Sequence, residues 1–202
     1  MQGKKEQLLT VESKLKYQLI NIYKPGAFSN FTTVLYELMQ KKLLDGYVTP
    51  VFVCIGSDRS TGDSLGPLVG YKIEGIRNKN VHIYGTLERP VHAKNLETTI
   101  KEINEKHEKP LVIAIDACLG NADHVGCISV SEQPIKPGLA LNKNLPPVGD
   151  ISIMGFVNIS GFMDFLTLQN TRLYIVMSMA DFLANGIRYV LWKMQRYKQL
   201  FC

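Results

Sequence analysis

The 202-residue sequence is poor in the groups that most often announce a chemistry. It has four cysteines, Cys54, Cys118, Cys127 and Cys202, with no CxxC among them. That excludes a disulfide framework and a zinc-ribbon spacing, and it predicts reduced thiols. Histidine is equally scarce: four in the chain, His82, His92, His107 and His124, with none after His124. No run of about five like charges occurs, so the formal charge of +5 reads as solvated helix faces and basic ends rather than a nucleic-acid arm. No uninterrupted apolar run is long enough to span a bilayer. The longest apolar stretch, Thr171–Trp192, is broken by Arg172, Asp181, Asn185 and Arg188, which predicts a buried helix. The start is polar and lysine-rich without an apolar h-region, so no signal peptide is expected.

Two short segments hold the chemistry that is present. Val51–Gly70 reads VFVCIGSDRSTGDSLGPLVG and Pro110–Gly120 reads PLVIAIDACLG. In each, an apolar β-branched run leads into a turn holding an aspartate, Asp63 in the first and Asp116 in the second. The pattern along the chain is α/β. Helices are predicted over Ser29–Leu44, Ser64–Arg77 and Ala93–His107, and helix dominates after Gly161. Strands are predicted over Pro50–Ile55, Val81–Gly85, Leu111–Ile115, Val125–Val130 and Ile151–Asn158, and Leu173–Met177 is open as a sixth. Pro134–Pro147 reads as a loop. Residues 1–202 are expected to form one domain, with residues 1–25 as a loosely ordered segment.

In such a βαβαβ unit the ligand site lies beyond the carboxyl ends of the strands, where strand order switches. With the first three strands in the order 2-1-3, Asp63 and Asp116 face each other across that crevice. Three readings of the Gly-rich loop are open. It has no GK[ST] ending and no GxGxxG, so a phosphate cradle is poorly supported. Asp63 or Ser64 can simply cap the following helix. The third reading is catalytic, because two close carboxyls share one proton and so supply an acid and a base. Asp116 follows a wholly apolar strand, where a carboxylate is expensive without a partner or a task. Cys118 is an alternative nucleophile, with His92 or His124 as its base.

These segments carry a family resemblance. IGSDRSTGDSLGPLVG, VIAIDACLG, PIKPGLALNKNLPPVGDISIMGFVN and LQNTRL with VMSMADFLANGI resemble the sporulation protein YyaC family of spore-forming Firmicutes, over about Val51–Ile187. That family is similar to the germination protease, which degrades small acid-soluble spore proteins, and more distantly to hydrogenase maturation proteases. The resemblance implies a three-layer α/β/α fold with a mostly parallel central sheet, of the phosphorylase/hydrolase-like type. It implies a sporulation-associated peptidase with Asp63 and Asp116 as its catalytic aspartates. Gly56, Ser57, Asp58, Arg59, Ser64 and Lys143 would line the substrate cleft, with the amides of Gly56, Ser57 and the Ser64 helix start offered to an oxyanion. No cofactor and no metal are expected. The histidine that completes the nickel-sensing site of maturation proteases has no counterpart, since residues 125–202 contain none.

The expected partner is a protein or peptide substrate, small acid-soluble spore proteins among the candidates, with homo-oligomers allowed and no membrane or direct nucleic-acid contact. The expected location is the cytoplasm of the forespore or spore. The alternative is a catalytically silent sporulation protein that binds a partner peptide in the same cleft, and a small-molecule amidohydrolase is a third option.

Overall fold

Unbroken apolar runs make strands that are covered on both faces, and these strands form the centre of the molecule. The computed structural model describes residues 17–76, 80–136 and 147–201. Six strands, β1 (Tyr17–Asn21), β2 (Thr49–Cys54), β3 (His82–Tyr84), β4 (Pro110–Gly120), β5 (Cys127–Ser131) and β6 (Ile151–Ile159), form one sheet in the order β1-β5-β6-β4-β2-β3. The β3-β2-β4-β6 portion is parallel, and β5 runs antiparallel to both β6 and β1. The three strands of the βαβαβ unit thus have the 2-1-3 order, with β2 and β4 side by side in the register Val53 to Ala114 and Cys54 to Ile115.

Five helices complete the described residues: α1 (Ala27–Leu44), α2 (Leu65–Ile73), α3 (Leu96–Lys106), α4 (Asp164–Gln169) and α5 (Leu173–Phe201). On one face of the sheet α1, α2 and α5 bury Phe31, Leu35, Leu38, Val69, Met179 and Leu183 against Phe52, Ile113, Ile115 and Ile153. On the other face, α3 packs Leu96 and Ile103 on Val51, Val53, Val112 and Ala114. Each such side chain contributes ~1.5–3 kcal/mol through burial. No helix among the described residues is long and apolar enough to cross a membrane.

Several boundaries differ from the sequence expectation. β4 does not stop at Ile115; it runs through Gly120 because β6 continues beside it, so Asp116 sits within a strand, opposite Met154, and not in a turn. The sixth strand is not Leu173–Met177, which is the first part of α5. It is Tyr17–Asn21, within the segment expected to be loose. α2 ends at Ile73, short of Arg77, which lies outside the described residues. Val125 precedes β5, following a turn of 3-10 helix at Ala122–His124. Most of the Pro134–Pro147 loop, including Lys143, also lies outside the described residues.

Candidate active site

β2 ends before β4 does, and this mismatch creates the site. Ile115 directs its carbonyl to the N–H of Ile55 at 2.7 Å, so Ala117 presents its N–H to the same side, beyond the last paired residue of β2. Asp116 fills the opening: its Oδ1 accepts the Ala117 N–H at 2.8 Å. Asp116 is 9% exposed, and among the described residues neither it nor Asp63 belongs to an ion pair.

Asp63 reaches β4 from the other motif. After Ile55 the chain leaves the sheet at Gly56 (φ 140°), and the loop closes on itself where Ser57 N–H donates to the Asp63 carbonyl at 3.1 Å. Asp63 then lies in a turn of 3-10 helix, Gly62–Ser64, packed between β4 and the junction of α4 and α5. Gly62 is needed there, because a β-carbon would stand 2.8 Å from Thr171 Oγ1 and 2.9 Å from Leu168. Ser64 occupies the N-cap position of α2 without a side-chain capping bond; its hydroxyl donates back to the Thr61 carbonyl at 2.6 Å. Helix capping therefore does not explain either side chain.

The two aspartates sense each other. Burial pushes the Asp116 carboxyl well above the usual carboxylate range, and the neighbouring Asp63 charge pushes it further. Burial also raises Asp63, with the Ser57 amide and His92 pulling the other way. Asp116 thus holds a proton where Asp63 is ionised, the arrangement of an acid beside a base. Among the described residues no group of three or more His, Cys, Asp or Glu side chains is arranged to hold a metal ion.

The remaining expected residues divide. Gly56 and Ser57 border the pair, but their amides are engaged: Gly56 N–H donates to Val91 O at 2.8 Å and Ser57 N–H to Asp63 O. Ser64 N–H donates to Thr61 O at 3.3 Å. The oxyanion donors expected from these three are therefore already paired, because the loop folds on itself. Asp58 and Arg59 are exposed at its tip, where Arg59 N–H donates to Ser57 Oγ at 3.3 Å.

Cys118 follows Asp116 on the same face of β4, and its setting opposes nucleophilic use. Burial, reinforced by the Asp116 charge, pushes its thiol up to about 12, so it carries no thiolate near neutral pH. Cys118→Ala is expected to leave any hydrolytic rate within about threefold, and iodoacetamide at neutral pH should not inactivate the wild type. His124, one of its suggested bases, rests edge-on against Phe156 with ring centroids 5.3 Å apart. His92, the other, acts instead on Asp63. Its scarcity as a residue type was the available signal, and its neighbour was legible only from the fold.

A family model described as "Protein of unknown function (DUF1256)" matches residues 19–186. The chain is 54% identical over 137 residues to the "Uncharacterized protein YyaC" of Bacillus subtilis (strain 168), covering 68% of this chain and 67% of that protein. Among solved structures it is similar to the crystal structure of a NiFe hydrogenase maturation protease, HycI, from Thermococcus kodakarensis KOD1. The TM-score is 0.50 at 18% identity, covering 76% of this chain and 98% of that one. At that identity the likeness is one of fold.

Proposed function

We propose that this chain, which belongs to the DUF1256 family of proteins of unknown function, is a hydrolase that cuts peptide bonds with Asp63 and Asp116 as an acid–base pair. The observation that carries the reading is the state of Asp116: a buried carboxyl in a parallel strand, without an ion-pair partner, raised by burial and by a second carboxyl. A protein retains such a group at a cost in stability, and sites of proton transfer are where that cost is met.

The chemistry follows from the two protonation states. Asp116 donates its proton to the carbonyl oxygen of the scissile amide, and ionised Asp63 takes a proton from the attacking water. The hydroxide bonds to the carbonyl carbon. When the tetrahedral intermediate collapses, the C–N bond breaks, Asp63 passes its proton to the leaving amine, and Asp116 recovers its own from the intermediate's hydroxyl. One water is consumed and both carboxyls return to their starting states.

The resemblance to the germination protease motifs supports a polypeptide substrate in a sporulating cell, with small acid-soluble spore proteins as first candidates. A second reading, a silent binding module, is favoured by one observation. Beside the Asp63 turn, Phe162, Met163, Phe165 and Leu166 are 103%, 61%, 53% and 46% exposed, an apolar rim that would hold a peptide without cutting it.

The test is incubation with a small acid-soluble spore protein, with and without DNA, comparing wild type with Asp63→Asn and Asp116→Asn. Fragments from the wild type that vanish in both variants are expected. Intact substrate with all three proteins folded removes spore proteins as substrates, and binding without cleavage in the same samples selects the second reading.

A further inference from the structure

The loop between β3 and α3 brings to the carboxyl pair a side chain that neither motif contains. Val91 pairs with Ile55 as an isolated parallel bridge, and its carbonyl accepts Gly56 N–H at 2.8 Å. His92 therefore follows the residue that anchors one end of the Asp63 loop. The other end of that loop is tied down by the Ser57–Asp63 bond, so both side chains hang from neighbouring, fixed backbone.

The backbone of His92 is itself held in a tight frame. Its N–H donates to Asn95 Oδ1 at 2.8 Å, Asn95 Nδ2 donates to Pro90 O at 3.0 Å, and the His92 carbonyl accepts the N–H groups of Asn95 and Leu96, each at 3.0 Å. Within this frame one atom is left over: His92 Nδ1 is buried and has no hydrogen-bond partner. Leaving a buried ring nitrogen unpaired costs ~1–3 kcal/mol. Such atoms call for an explanation, and contacts of catalytic groups are often long in a ligand-free protein and tighten with substrate bound. Of the two carboxyls, Asp63 is the one on which the His92 charge acts, against the effect of burial.

We propose that His92 is a positioning residue of the pair: its Nδ1–H donates to the Asp63 carboxylate in the substrate complex, keeping Asp63 ionised and the shared proton on Asp116. The inference rests on the hydrolase reading for what the pair does, but the contact stands apart from it.

The test is an NMR titration of the four histidine rings of the full chain in wild type, Asp63→Asn and Asp116→Asn, with His92 identified from His92→Asn. Asp63→Asn is expected to lower the His92 midpoint by ~0.5 pH unit or more, and Asp116→Asn to move it by less than ~0.2. His82 and His107, whose rings stack 4.0 Å apart at the opposite end of the parallel strands, report that each variant is folded. An unchanged His92 midpoint in folded Asp63→Asn overturns the proposal, whether or not any substrate is cut. Where cleavage is measured, His92→Asn keeps a donor near the Nδ1 position and retains kcat to within about tenfold. His92→Gln places its amide near Nε2 and loses ~10²-fold or more. Equal losses in the two variants overturn the assignment.

Discussion

Asp116→Asn is expected to reduce the rate of peptide cleavage by ~10²–10⁴-fold while making the protein harder to melt at neutral pH. Asparagine keeps the size of the side chain and an oxygen for the Ala117 N–H, so β4 retains its course beyond β2. It removes the one thing the mechanism uses, a proton that can leave and return. Asp63→Asn removes the base and should cost a similar factor. Because the two act as a unit, the double variant should fall little further than either single one. Rates of fragment appearance for the three variants check this directly, and additive losses would mean that the carboxyls act separately.

The stability half of the prediction has a definite sign. An unfolded aspartate titrates near about 3.9, and burial together with Asp63 raises Asp116 well above that in the folded chain. The folded state therefore holds the proton more tightly. Its contribution to stability is full below the unfolded value and is lost as pH rises through the folded one. Asparagine has no such loss. Melting temperatures of variant and wild type should converge near pH 4 and separate in favour of the variant towards pH 7–8, by ~2–4 °C for each kcal/mol recovered. Asp63, also raised by burial, should behave in the same direction. A variant that melts lower than wild type at neutral pH would make Asp116 a structural anchor instead of a functional group held at a cost.

The carboxyl pair was legible in the sequence because each aspartate follows an apolar run that only a buried strand accommodates, and neighbouring parallel strands deliver such residues to one edge. Other features depend on pairing between distant segments. The extension of β4 over Ala117–Gly120 comes from β6 alongside it, and no local propensity of Ala, Cys or Gly signals it. Tyr17–Asn21 is a strand because β5 offers an edge, in register from Tyr17 with Ser131 to Asn21 with Cys127. Leu173–Met177 has strand-like composition, but exposed Leu173 and Tyr174 with buried Val176, Met179, Ala180 and Leu183 follow the helical period. At the site, the sequence revealed that the Asp63 loop is glycine-rich but not that its amides bond to Val91, Asp63 and Thr61. For the same reason His92 read as an isolated histidine until the Ile55–Val91 bridge brought it to the pair.

Glycine-to-alanine changes at Gly66 and Gly56 should separate the scaffold from the site. In a helix interior alanine ordinarily stabilises by ~0.8–1 kcal/mol over glycine. At Gly66 in α2 the sign should reverse, because the added β-carbon would stand 2.0 Å from the Ile55 carbonyl oxygen, backbone that cannot swing aside. Gly70, one turn on, meets Gly85 O at 2.1 Å, so α2 rests directly on the sheet along this edge. Gly66→Ala is expected to lose ~2–3 kcal/mol in urea unfolding. Gly161→Ala, where nothing lies within 4 Å, should change stability by less than ~0.5 kcal/mol. Gly56 tests a different link. Its φ of 140° is disfavoured for alanine, and the β-carbon would stand 2.0 Å from the Asp63 carbonyl oxygen, so the loop that presents Asp63 must move. A shift of the order of 1 Å in a catalytic group can cost ~10²-fold in rate. Gly56→Ala should therefore lose cleavage activity out of proportion to its stability, whereas Gly66→Ala should lose stability first and keep its activity below its melting transition. If both variants lose activity only as they unfold, the loop at Gly56 is part of the scaffold, and the position of Asp63 is not what sets the rate.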